Sequence, residues 1–149
     1  MKREFIMLNT SERYIVDSLV AQFWKRGYLT LSRRFGTYLP EPERVGEFIV
    51  DVVARQRKKY AIGISLSEDE LNSTELSDKI YYLATRHTKF SNKPVILFIA
   101  VPVKYYKRAK NLLEQMDKKV RRNIKLIQII DESIPKTDIS KQKSKILFS

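Results

Sequence analysis

Cysteine is absent from this chain of 149 residues, so disulfides, thiol nucleophiles and cysteine-bearing zinc sites are excluded together. There is one histidine, His87, which leaves carboxylates as the only candidate metal ligands and favours Mg²⁺ or Mn²⁺ over zinc. The four glycines form neither a Gly-rich phosphate loop nor a nucleophile elbow, which argues against nucleotide hydrolysis and acyl transfer. Long apolar runs are missing too. The longest, Pro94 to Val103, has ten residues against the roughly 20 that cross a bilayer. Met1, Lys2, Arg3 and Glu4 lead into no signal-type stretch, so a cytoplasmic protein without a membrane partner is expected.

What the chain does have is a core and an excess of positive charge. Hydrophobic residues make up 43% and charged residues 31%, a globular composition, and the length suits a single domain. Residues 1–134 read as that domain and residues 135–149 as a polar, lysine-rich tail. Lys plus Arg number 29 against 17 Asp plus Glu, for a net charge of +12. Such a balance points to a polyanionic partner, nucleic acid first. The excess is uneven: residues 1–100 carry net +4 and residues 101–149 net +8.

Hydrophobic periodicity supplies the elements. Asn9 with Glu12 has the form of a capping box, and Ile15, Val16, Leu19, Val20, Phe23 and Trp24 follow at helical spacing until Gly27. Tyr28 to Phe35 alternates like a strand, and Gly36, Pro40 and Pro42 mark a loop. Val45 to Ala54 and Lys59 to Leu66 read as a hairpin around a charged turn. Asn72 with Glu75 repeats the capping pattern before a second helix whose apolar face carries Leu76, Ile80, Leu83, Ala84 and His87. Val95 to Val101 is apolar throughout, as expected of a strand buried on both faces. A third helix over Lys104 to Val120 and a strand over Ile124 to Ile130 complete the order αβββαβαβ. The expected fold class is α/β, a mixed sheet covered by helices on both sides.

In this order of elements, Glu47 to Leu66 resembles the active-site hairpin of the PD-(D/E)XK nucleases, the restriction-endonuclease-like superfamily that includes Holliday junction resolvases. That family carries an Asp on its second core strand and an acidic-x-Lys triplet on the third. Here Val50-Asp51 is followed, after a basic turn, by Ile62-Gly63-Ile64-Ser65. Asp51 matches the first position, Gly63 stands where the second acid belongs and Ser65 where the lysine belongs. In the family the two carboxylates bind Mg²⁺, which activates water and stabilises charge on the phosphate. The resemblance therefore implies a degenerate catalytic site. A rearranged site is the alternative: Glu47, four residues before Asp51, supplies the second carboxylate, with Glu12 and either Lys59 or Lys79 completing it. Without a metal, Asp51 must meet an arginine, a lysine or a backbone donor, and Glu47 becomes a solvated strand end or pairs with Arg33 or Arg44.

Basic residues cluster at Arg33 and Arg34, at Arg55, Arg57, Lys58 and Lys59, at Lys104, Lys107, Arg108 and Lys110, and at Lys118, Lys119, Arg121, Arg122 and Lys125. These groups can track a phosphate backbone or serve as solvated surface. Tyr105 and Tyr106 either stack on bases or split between core and surface. Three functional classes follow: a degenerate nuclease-like domain that binds nucleic acid, DNA first; an active Mg²⁺-dependent nuclease using Asp51 and Glu47, with Asp51 the metal ligand; and a protein-interaction subunit docking through Ile146, Leu147 and Phe148. Nucleases of this fold often pair to act on two strands, so a homodimer fits the first two classes.

Overall fold

The structure, a computed structural model, describes residues 2–89 and 91–130, with side chains from residue 12 onward. It begins with helix α1 (Lys2–Lys25), so Asn9 lies inside the helix and does not cap it. Val16, Leu19 and Phe23 form its buried stripe. The helix stops at Gly27, whose φ of 85° opens a Schellman motif: Gly27 N donates to Trp24 O at 3.0 Å and Tyr28 N to Phe23 O at 2.9 Å. The accompanying apolar contact is the Phe23–Tyr28 ring pair, 5.7 Å apart.

Five strands follow: β1 (Leu29–Arg33), β2 (Val52–Gln56), β3 (Lys59–Ser65), β4 (Ile96–Pro102) and β5 (Ile124–Ile129). They form one mixed sheet in chain order, antiparallel for β1–β2–β3 and parallel for β3–β4–β5. The helices between them are α2 (Glu68–Leu71), α3 (Leu76–Ala84), α4 (Tyr106–Glu114) and α5 (Lys118–Arg121). The expected mixed α/β architecture is thus present.

The sheet separates two apolar layers. Under α1, Phe23, Tyr28 and Phe98 pack ring on ring against Val52, Ala54, Ala61 and Ala100. The small side chains on that face let α1 approach closely. Across the sheet, Ile62, Ile64, Leu97, Ile99 and Val101 meet Ile80 and Leu83 of α3, Leu113 of α4 and Val120 of α5. β4 feeds both layers, the reason its run is apolar throughout.

Several elements differ from expectation. The strand expected from Val45 starts only at Val52; Val45 and Phe48 close a tight turn holding Gly46 and Glu47, and the backbone stays irregular to Asp51. β2 instead runs on to Gln56, because Arg57 takes a φ of 58° and the hairpin turns within Arg57 and Lys58. The third helix breaks into a 3₁₀ turn, α4 and α5, with Asp117 capping α5. Ser67, not Asn72, accepts from a helix N-terminus, and the helix it caps is the short α2. His87 lies beyond the end of α3, exposed, its ring Nδ1 3.0 Å from Thr85 O. The tail expected at residues 135–149, with Ile146, Leu147 and Phe148, lies outside the described residues.

Candidate functional site

The three parallel strands β3, β4 and β5 give the sheet two distinct ends, about 20 Å apart along a seven-residue strand. Asp51 lies at the end where they finish. It is 5% exposed, at the bend leading into β2, and its N–H donates to Gly63 O at 2.9 Å. Both carboxylate oxygens are engaged. Oδ1 accepts from Arg34 Nη1 at 3.0 Å; Oδ2 accepts from the Ser65 backbone N–H at 2.8 Å and from Ser65 Oγ at 2.9 Å. The other terminal nitrogen of Arg34 lies 3.4 Å from Glu12 Oε2 on α1. The guanidinium also stacks 4.7 Å from the Phe35 ring centroid. A buried carboxylate left unpaired is costly; here one cation and two hydrogen-bond donors from Ser65 hold it.

The neighbouring position is closed to a second acid. A Cβ on Gly63 would stand 2.9 Å from Cε2 of Phe23 and 3.4 Å from Cβ of Val52. Glu47 is exposed in the turn closed by Val45 and Phe48, and the irregular backbone from Ile49 to Asp51 breaks the strand alternation that would put residues four apart on one face. Lys59 stands at the opposite end of β3 from Ser65, and Lys79 pairs with Glu70 at 3.1 Å. Among the described residues no three His, Asp or Glu side chains gather as a metal would require. Mg²⁺ demands several oxygen ligands in near-octahedral array. The residues around Asp51 do not fit it: the cation at this carboxylate is Arg34.

The basic candidates divide between the two ends. Arg33 pairs with Asp17, and Arg34 with Asp51 and Glu12, so neither presents the free guanidinium expected for phosphate contacts. Lys104, Lys107 and Arg108 follow β4 at this same end, beside acidic α2, and among the described residues none of the three forms an ion pair. There Arg108 donates to Asn72, and Tyr105 donates to Glu68 at 3.0 Å. Tyr105 and Tyr106 are both half-buried, so the pair does not split between core and surface.

At the end where the parallel strands begin, the β2–β3 tip carries Arg55, Arg57, Lys58 and Lys59, all exposed. The loop entering β4 adds Lys89 and Lys93, which sequence reasoning missed. They are isolated in sequence, and only the placement of β4 beside β3 brings them to the hairpin. Among the described residues none of these six forms an ion pair. Arg121 and Arg122 close α5 just before β5 and so stand at this end as well. The tip separates two open clefts of about 480 and 430 Å³ that share Arg57 and Lys58. Such a concentration of unneutralised cations attracts a polyanion. Among the described residues no helix is long and apolar enough to cross a membrane. No family model, curated protein or solved structure matches the chain.

Proposed function

We propose that this protein is a cytoplasmic nucleic-acid-binding domain, with DNA the first candidate ligand, whose contact surface is the basic end of the sheet. The observation that carries the reading is the convergence of Arg55, Arg57, Lys58 and Lys59 with Lys89 and Lys93, from two separate loops and without carboxylate partners among the described residues. Contacts of this kind grip phosphates and carry no sequence information.

The helix, three-strand meander and parallel fourth strand support the likeness to restriction-endonuclease-like folds. On that reading Asp51 marks the old catalytic position, now occupied by an ion pair with Arg34. The protein is then a binding relative of nucleases that needs no metal cofactor.

Fluorescence anisotropy with labelled oligonucleotides tests this directly. Binding is expected to fall steeply with salt and to weaken when Arg55, Arg57, Lys58 and Lys59 are neutralised together. Salt-insensitive binding, or none, would favour a protein-interaction subunit instead. Incubation of duplex, single-stranded and branched DNA with Mg²⁺ or Mn²⁺ is expected to leave each intact. Cleavage abolished by Asp51→Ala would establish a divergent nuclease.

A further inference from the structure

The two clefts flanking the hairpin tip differ in a way that selects a ligand. Strand alternation puts Gln56 and Lys59 on the α1 face, where Lys93 joins them, and the side chains lining that cleft are one glutamine, one arginine and three lysines. On the α3 face Arg55 and Tyr60 are cross-strand partners, and Lys89, Thr88 and Ser91 complete the wall. Of the two clefts, this one has an aromatic ring, Tyr60, among its described lining residues. Tyr60 is half-buried, packed against the core beneath the cleft.

Resting on the nucleic-acid-binding role above, we propose that the α3-side cleft is a single-strand site in which a base stacks on Tyr60 while Lys89, Arg55 and Arg57 hold the flanking phosphates. Three observations converge on it. The open cleft of about 430 Å³ has the volume of sites that take one small ligand, roughly 300–1,000 Å³, a scale suited to an unpaired base and not to a duplex. Cations around an aromatic platform are the usual device for holding single strands, since an unstacked base offers its face and a paired one does not.

The cleft is also built in advance. Thr88 N–H donates to Lys93 O at 3.0 Å, Asn92 N–H to Thr88 O at 2.9 Å and Lys93 N–H to Thr88 Oγ1 at 3.1 Å, which anchors Thr88, the neighbour of Lys89, to Asn92 and Lys93. Arg57 holds a left-handed backbone, φ 58°, that carries a local conformational cost for a residue with a side chain.

Anisotropy with a labelled oligothymidylate and with a duplex of equal length tests the proposal. The single strand is expected to bind more tightly. Tyr60→Leu should weaken it about 5- to 150-fold, the range of one lost stacking contact, while Tyr60→Phe keeps the affinity. Lys89→Ala, an exposed change, should lower the salt slope by about one unit. Photocrosslinking of an iodouracil-substituted strand, mapped by mass spectrometry, is expected at Tyr60 in the unaltered protein. The single-strand site is overturned, with nucleic-acid binding intact, by duplex affinity equal to or above that of the single strand. Crosslinks only elsewhere, or affinity unmoved by a folded Tyr60→Leu variant or by Lys89→Ala, overturn it as well. Failure of both oligonucleotides to bind removes this proposal and the broader function together.

Discussion

Where the parallel strands finish, Arg33 and Arg34 each meet a carboxylate; where they begin, six basic side chains meet none among the described residues. Arginines occur in both groups, on or beside the strands of one sheet, so residue type does not separate them. Topology does. The β1–β2 pairing sets Arg33 against Val52, next to Asp51, whereas the β2–β3 turn carries its cations past the first residues of β4 into solvent. A local excess of charge marks a binding surface only after the cations consumed in folding have been set aside.

The contrast predicts which substitutions change stability and which change binding. The largest effect is expected from Arg34→Ala, which strands a buried carboxylate: a loss of about 3 kcal/mol in urea unfolding, near the low end for a broken buried pair because Arg34 is partly exposed. Nucleic-acid affinity of the folded variant should stay unchanged. A parallel loss of affinity would erase the division between the two ends.

Gly63→Ala should cost about 2 kcal/mol by pushing on Phe23, itself locked against Phe98 and Tyr28. Thermal or chemical melts check this, and the same crowding predicts that an acid grafted at position 63 will not rebuild a metal site.

At the basic end the signs should diverge. Arg57→Gly relieves the left-handed turn, raising stability by about 0.5–1 kcal/mol, while affinity falls and the salt slope drops by about one unit. A variant that is both less stable and equally competent to bind would contradict the assignment of the turn.

The smallest effect concerns Tyr28, beside the Arg55 end of β1. Burial holds its hydroxyl above the ordinary 10.0, with Arg26 working in the opposite direction. Below pH 10 the group is neutral in folded and unfolded chains and contributes no pH dependence. As pH rises beyond that, the unfolded chain ionises first and stability declines until the folded value is passed. Tyr28→Phe should flatten this alkaline limb in pH-dependent melts.

Much of the fold was legible because periodicity and burial agree. β4 could be read from an uninterrupted apolar run, and the close of α1 from Gly27 after Phe23. Strand limits around Asp51 were not legible, because Val45 to Val50 is apolar enough for a strand while its local turn is decided by Gly46 with a φ of 63°. The need of Asp51 for a donor followed from its apolar neighbours, and an arginine was among the options. That it is Arg34, 17 residues away, with Ser65 from the next strand, depended on the β1–β2–β3 register. Lys89 and Lys93 were invisible for the same reason. Basic residues adjacent in sequence announce themselves, whereas those gathered by strand pairing do not.

The order of the sheet copies the order of the chain, β1 to β5 without an exception. Each strand therefore docks on an edge already laid down by its predecessor, and none must be threaded between two partners that have met. During synthesis the growing polypeptide can extend its hydrogen-bonded surface in one direction. The β2–β3 hairpin is the one short closure, whereas β3 and β4 pair residues 35 apart, so the antiparallel half is expected to form first and the parallel half to follow more slowly.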